Sequence, residues 1–283
     1  MIFPILHTES RGILSETTGF IRNAGFTHSL SPARNCTFGC SYCYVPTMGI
    51  YGGLKPEDVR RWGQFTTFKS NAAALLRKSL RPEQRIYCSP VVDPYQPAEE
   101  QERMMPGILD ALIRNPPNVF TIQTRGPLIL RDLDLIKELS LRTRLHVSFS
   151  VPTCDEKIRS IYESRCAPFN ERLRVLQTLT DANIRTFATI APILPCNPEH
   201  LAQSLLDVTK GGIVCDPFHV RSTKPHGATT RNAAWRIAQH HGHEQWFDPA
   251  FQASIVDRIA KTAHAAGRNC GIGWEAFSWL AEF

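Results

Sequence analysis

The sequence predicts an α/β fold built on a parallel sheet, and three observations predict it. Short apolar runs recur along the chain, helical patterns lie between them, and the length suits one large domain of the α/β barrel type. The runs are Arg85–Cys88, Val119–Gln123, Leu145–Val151, Arg185–Ile190 and Gly212–Cys215, each reading as a buried strand. Between them, Glu99–Arg114, Leu130–Leu141, Phe169–Ala182 and Pro198–Thr209 carry helical patterns. Strands alternating with helices imply right-handed βαβ units around a parallel sheet. With a lead-in strand at Phe26–Leu30 the count is six. A chain of 283 residues, 42% hydrophobic, can bury a sizeable core.

Taken in order, residues 1–30 hold few periodic signals and form an extended lead-in. Its strand, Phe26–Leu30, runs into a cysteine loop, which places the cysteines at a strand's carboxyl end. Val45–Thr67 is rich in Gly, Pro and aromatics and reads as an irregular loop. A helix follows at Asn71–Leu80, with Ser70 as its cap and Pro82 as its stop. The tail adds a helix at Ala253–Ala266 and an aromatic end with Trp274, Phe277 and Trp279. The expected organisation is a single domain over 1–283, its core at about 26–220 and a C-terminal extension over about 221–283.

Composition narrows the setting. No apolar run approaches membrane-spanning length, so no membrane partner is expected. Met1–Ser10 lacks a basic region followed by a long apolar segment and does not read as a secretory signal. Nine cysteines without an export signal point to a reducing cytoplasm rather than a disulfide framework. The formal charge of 32 − 26 = +6 permits an anionic partner without demanding one.

The chemistry is concentrated at Cys36, Cys40 and Cys43, in Asn-Cys-Thr-Phe-Gly-Cys-Ser-Tyr-Cys-Tyr. Thiolates this close on one loop can wrap a single iron–sulfur cubane, each reaching a different iron. Full ligation takes four cysteines, and the next in sequence is Cys88. One iron would stay open to an outside ligand, as in a reactive cluster. Gly39 lets the backbone turn between the first two ligands. A zinc site would need a fourth ligand, for which His28 is a distant candidate. A ferredoxin-like carrier would want a fourth nearby cysteine.

The CxxxCxxC spacing, with Tyr42 before the last cysteine, resembles the cluster loop of the radical S-adenosylmethionine superfamily. Further segments resemble its spore photoproduct lyase-related branch: Phe26-Thr-His-Ser-Leu-Ser-Pro32, Asp93-Pro-Tyr-Gln-Pro97, Gln123-Thr-Arg-Gly126, Leu130–Leu135, Val147–Thr153 and Ile190–Pro195. Together they cover about residues 20 to 200. The resemblance implies a partial (βα)6 TIM-like barrel and a 4Fe–4S cluster on the three cysteines. It also implies S-adenosylmethionine chelated to the fourth iron and cleaved reductively to a 5′-deoxyadenosyl radical, with a flavodoxin or ferredoxin as reductant. Chemistry in such barrels collects at the carboxyl ends of the strands.

The resemblance also implies site residues. Tyr42 matches the aromatic position that lies against the adenine. Arg125 falls where the branch has a basic residue near the cofactor carboxylate, and a guanidinium fork suits a carboxylate; the alternative is a surface loop arginine. Ser150 could bond a ribose, and Ser148 shares its strand face; a turn serine before Pro152 is the alternative. Asp93 could accept a ribose hydroxyl, although Asp-Pro is also a turn signal. Tyr95 lies on the same loop, facing the expected cavity. Cys88 and Tyr95 are the catalytic candidates, because the branch is expected to use a cysteine near this strand end as a hydrogen-atom donor. Cys88 sits two residues before that position, a shift of about 7 Å along the strand, and buried cysteine is often a small hydrophobe. Glu163 and Arg165 read as an ion pair, either supporting the site or solvated.

Cys154, Cys166, Cys196, Cys215 and Cys270 show no mutual ligand spacing. Arg221, Lys224, His226, Arg231, Arg236, His240, His241 and His243 form a basic run that could follow a phosphate backbone or could be a solvated face. Trp235 and Trp246 could stack on unpaired bases or be buried. On the resemblance, nucleic acid, DNA or RNA, is the leading substrate expectation, as in repair of a pyrimidine lesion. A radical enzyme acting on a peptide or small metabolite, and a non-enzymatic iron–sulfur or zinc module, are the alternatives.

Overall fold

The computed structural model describes residues 3–52, 54–222, 224 and 228–282. Its strands are β1 (Ile5–Thr8), β2 (Leu14–Glu16), β3 (His28–Leu30), β4 (Ala33–Arg34), β5 (Thr66–Lys69), β6 (Arg85–Cys88), β7 (Val119–Thr124), β8 (Arg144–Ser150), β9 (Arg185–Ile190), β10 (Ile213–Cys215) and β11 (Cys270–Ile272). The main sheet has eight strands in the order β11-β10-β9-β8-β7-β6-β3-β2. From β3 to β11 every neighbouring pair is parallel, and β2 is antiparallel at one edge. The expected α/β fold with a parallel sheet is present, open between β2 and β11 rather than closed. Beyond the six expected parallel strands, the C-terminal extension contributes β11 as one more.

The sheet's two faces differ in chemistry. Ile86, Cys88, Phe120, Ile122, Val147 and Phe149 share one face by register and alternation, and they belong to the large core formed with the helices. Helix Met104–Arg114 shows how that face is covered: Met105, Ile108, Leu109 and Leu112 are buried at the spacing of one helical stripe. Each such side chain contributes about 1.5–3 kcal/mol on burial.

The opposite, inner face carries Tyr87, Thr121 and His146 towards the amino ends of the strands, and Phe187 and Val214 level with Ser148 and Thr189. Tyr87, Phe187 and Val214 form a second cluster with Phe26, Phe277 and Leu280. The Leu280 carbonyl accepts from Thr121 Oγ1 at 2.6 Å and meets His146 Nδ1 at 2.9 Å. The segment after helix Gly273–Ser278 therefore closes the inner face at that end. Above it the same face presents Gln123, Ser148, Ser150 and Thr189.

Several expected elements differ in detail. Glu99–Arg114 is two helices, Glu99–Glu102 and Met104–Arg114, parted at Arg103 with φ of +54°. The Glu99 carboxylate accepts from Met104 N and Met105 N and so begins the second helix. Ser70 does not cap the helix Ala72–Ser79; Asn71 holds that position, and the Ser70 hydroxyl donates to the Thr8 carbonyl. Val45–Thr67 contains a 3-10 segment at Val45–Gly52 and a helix at Pro56–Arg60, and it leads into β5. A small sheet in the order β1-β5-β4 flanks the cysteine loop. Helices Glu156–Tyr162 and Asn232–His241 complete the surroundings of the site.

Candidate cluster site

The loop bearing Cys36, Cys40 and Cys43 leaves β4, not the lead-in strand directly, and side chains from three directions fix its backbone. Asn35 is buried at φ of +62°. Its Oδ1 accepts from Cys36 N at 2.9 Å and Gly63 N at 3.0 Å. Gln96, after β6, accepts from Thr37 N at 2.7 Å and from Thr37 Oγ1 at 3.0 Å. Arg165 donates to the carbonyls of Thr37 and Gly63. The Gly39 turn, at φ of +62°, lies so close to Gly63 that a Cβ on Gly63 would sit 2.6 Å from Gly39 Cα. Gly63→Ala should thus push the cysteine loop outwards and strain a backbone at φ of +84°. We expect about 2 kcal/mol of lost stability and lower iron loading, read by thermal melting and iron analysis. Wild-type values for both would show that the close approach is unimportant.

The segment after helix Glu156–Tyr162 backs the loop residue by residue. Asp155 caps that helix, accepting from Lys157 N and Ile158 N. At its other end the Tyr162 carbonyl accepts from Ser41 N at 3.0 Å and Ser41 Oγ at 2.9 Å. Glu163 accepts from the Tyr42 hydroxyl, from Arg125 Nη1 at 2.9 Å and from Arg172 Nη2. Cys166 places its sulfur 3.8 Å from that of Cys40. Glu163 and Arg172 are almost wholly inaccessible, at 0% and 1%. The expected Glu163–Arg165 pair is therefore corrected: Arg165 serves backbone carbonyls, and Glu163 shares its charge between Arg125 and Arg172. Chain proximity had suggested the wrong partner, since the helix Phe169–Asp181 brings Arg172 back across the turn.

Other candidate residues divide into two sets. Arg125 is no surface arginine: Nη1 also meets the Tyr42 hydroxyl, and its guanidinium lies 5.6 Å from the centroid of the Tyr42 ring. The Tyr42 ring is buried beneath it. Asp93 ties two loops together, accepting from Tyr95 N at 2.9 Å, Thr124 Oγ1 at 2.6 Å and Arg125 N at 2.8 Å. Burial pushes its pKa up, partly offset by the Thr124 bond and the Arg125 charge. Ser148 and Ser150 lie on the inner face as expected. Ser148 Oγ pairs with Thr189 Oγ1, while the buried Ser150 Oγ has no partner.

Cys88 and Tyr95 go elsewhere. Cys88 is wholly buried on the helix-covered face, level with Leu30 and Ile122. Tyr95 is 1% exposed within the same core, its hydroxyl without a partner, and Asp132, Cys88 and Glu99 are its electrostatic neighbours. Strand alternation sends Cys88 away from the polar inner face. Trp246 is likewise buried, and Trp235 packs edge-on to Phe247 at 5.2 Å, so packing accounts for both.

The residues of the basic run differ in their surroundings. Arg236, His240 and His241 are exposed on their helix; the His241 ring stacks on His243 at 6.0 Å, and His243 in turn on Tyr162 at 6.3 Å. Arg231 lies close enough to Cys43 and Cys40 for their charges to act on it. Thr229 N donates to Thr47 Oγ1 at 3.1 Å, which brings this stretch against the cysteine loop. His226 falls outside the described residues.

The donors suit a metal–sulfur centre. Cys36 and Cys40 are buried and Cys43 is half-buried. Burial raises the Cys36 pKa and pushes Cys43 up to about 12, so these thiols stay neutral until a cation offsets the cost of ionising them. Cys40 is brought down to about 7, chiefly by its contact with Cys166. Soft sulfur donors of this kind select iron–sulfur clusters or zinc. His28 is not brought into this set: its Nδ1 meets Thr27 Oγ1. Among the described residues, the donors whose ligand atoms lie within 4.8 Å of one another are Cys40, Glu163 and Cys166. Cys166 and the Glu163–Arg172 pair were not legible as site residues, since nothing in their spacing ties them to Cys40.

Comparison with known proteins agrees with this architecture. Two solved structures of spore photoproduct lyase superpose on it: a point mutant with a TM-score of 0.62 and 13% identity, covering 95% of this chain and 81% of that one, and a complex with dinucleoside spore photoproduct with a TM-score of 0.55 and 13% identity, covering 87% and 80%. At such identity the likeness is one of fold. An uncharacterized protein of Mycobacterium tuberculosis is 30% identical over 194 residues, 66% of this chain and 56% of that protein. Another from Methanocaldococcus jannaschii is 28% identical over 160 residues, 56% of this chain and 58% of that protein. The match thus spans little more than half the length of these relatives. The Radical SAM superfamily model matches residues 30–208, from the end of β3 through the cysteine loop to the helix before β10. A match over well over half of its residues makes this chain a member of the radical SAM superfamily.

Proposed function

We propose that the protein is a radical S-adenosylmethionine enzyme, with Cys36, Cys40 and Cys43 holding a 4Fe–4S cluster and S-adenosylmethionine as its cofactor. The observation that carries this reading is the three-thiol loop, fixed by Asn35, Gln96 and Arg165 at the mouth of a parallel sheet. The bound group would supply a 5′-deoxyadenosyl radical after reduction by a flavodoxin or ferredoxin. The chain's part is to place the cofactor and keep water away. Arg125 spends Nη1 on Tyr42 and Glu163, which leaves Nε and Nη2 unengaged among the described residues and suited to a carboxylate. The unpartnered Ser150 hydroxyl is available to a ribose oxygen, and Asp93 holds the loops on which Arg125 is carried. All nine cysteines are free thiols, which fits a reducing, cytoplasmic setting. No helix of the described residues is long and apolar enough to cross a membrane.

The leading substrate is a nucleic acid carrying a pyrimidine lesion, supported by the likeness of fold to spore photoproduct lyase and by Arg231 at the cysteine loop. Anaerobic reconstitution should give about four irons per chain with matching labile sulfide. Dithionite and S-adenosylmethionine should then yield 5′-deoxyadenosine. A single zinc instead would remove the enzymatic reading. A DNA-binding titration over salt should show affinity falling steeply as salt rises, because phosphate contacts release counterions. Absence of binding at low salt would shift the substrate to a peptide or small metabolite.

A further inference from the structure

We propose that Cys166 donates an S–H···S hydrogen bond to the Cys40 sulfur and thereby raises the reduction potential of the cluster held by the three-cysteine loop. The inference rests on the cluster reading above and makes Cys166 a positioning residue, not a ligand. The two sulfurs are 3.8 Å apart, and Cys40 and Cys166 are 6% and 4% exposed. The backbone of Cys166 is held on both sides of its Cα. Its N–H donates to the Glu163 carbonyl at 2.9 Å, and its carbonyl accepts from Arg159 Nη1 at 2.9 Å.

The nearest competing acceptor is the Glu163 carboxylate, whose two oxygens already take bonds from Tyr42, Arg125 and Arg172. The Cys40 sulfur is the partner left to the Cys166 thiol. Among the described residues neither Cys36 nor Cys43 has a side-chain sulfur contact of this kind. The contact is therefore specific to one corner of the loop.

A ligand sulfur becomes more electron-rich when its cluster accepts an electron. A donor aimed at that sulfur favours the reduced state over the oxidised one, and more strongly in a dry surrounding. Hydrogen bonds to the sulfurs are among the factors that set iron–sulfur potentials. The reduced state is the one that radical formation needs, so this contact bears on how readily a biological reductant can prime the enzyme.

The test is a redox titration of the full chain, followed by electron paramagnetic resonance, with iron and labile sulfide measured alongside. Cys166→Ala and Cys166→Val both remove the donor, and valine keeps the space filled. Either should retain the cluster and shift its potential downwards, leaving about tenfold less of it reduced at a fixed solution potential, about 59 mV for one electron. Cys166→Ser restores an O–H donor and should move the potential back towards wild type. A wild-type potential in a fully loaded alanine or valine variant overturns the proposal. Loss of iron from all three variants overturns it too, by making Cys166 a ligand. A wild-type chain that assembles no cluster sinks the underlying reading as well, and the iron analysis separates that failure from the others.

Discussion

Replacing Cys40 with alanine should abolish 5′-deoxyadenosine formation after anaerobic reconstitution, and iron content should fall with it. A three-cysteine loop has no spare thiolate: with one removed, two corners of a cubane would lack protein ligands. Cys166 does not rescue the variant on this view, because its position is fixed by Glu163 and Arg159. Cys154→Ala is the control. That thiol contacts the Asn197 carbonyl, lies outside the loop, and its removal should leave iron and product unchanged. Normal cleavage by the Cys40 variant would show that the ligands have been wrongly assigned.

Glu163→Ala should be the most damaging substitution for stability among the residues around the loop. The carboxylate is wholly buried between two guanidiniums, Arg125 and Arg172. Its removal leaves Arg172, 1% exposed, as an unpaired buried charge facing a second cation. Breaking a buried pair in this way costs about 3–5 kcal/mol. The Tyr42 hydroxyl loses its acceptor at the same time, loosening the loop between Cys40 and Cys43. Urea denaturation should show a large fall in the midpoint with the slope little changed, and Glu163→Gln should lie between the two proteins. A wild-type midpoint for the alanine variant would mean that the guanidiniums are satisfied without Glu163.

The long-range frame was legible because strands buried on both faces are plain apolar runs. Arg85–Cys88 and Arg185–Ile190 agree with β6 and β9 to the residue. The small sheet of β1, β4 and β5 was not legible, since these two- to four-residue strands are only partly buried and lack the continuous apolar run that marks the equally short β6. A different limit applies to Cys88. Sequence places it at a strand end, but a continuous apolar run gives no sign of which face meets the helices. The three cysteines were readable because their ligands share one loop. Their supports were not, because Gln96, Glu163, Cys166 and Arg172 come from distant segments that only folding brings together. Arg125 was found through resemblance, yet its engagement with Glu163 depended on knowing where helix Phe169–Asp181 lies.

The Leu280 carbonyl, gripped by Thr121 and His146, pins the C-terminal segment across the strand starts like a latch. The inner face is thereby covered at the amino ends of its strands, while the sheet stays open along its side between β2 and β11.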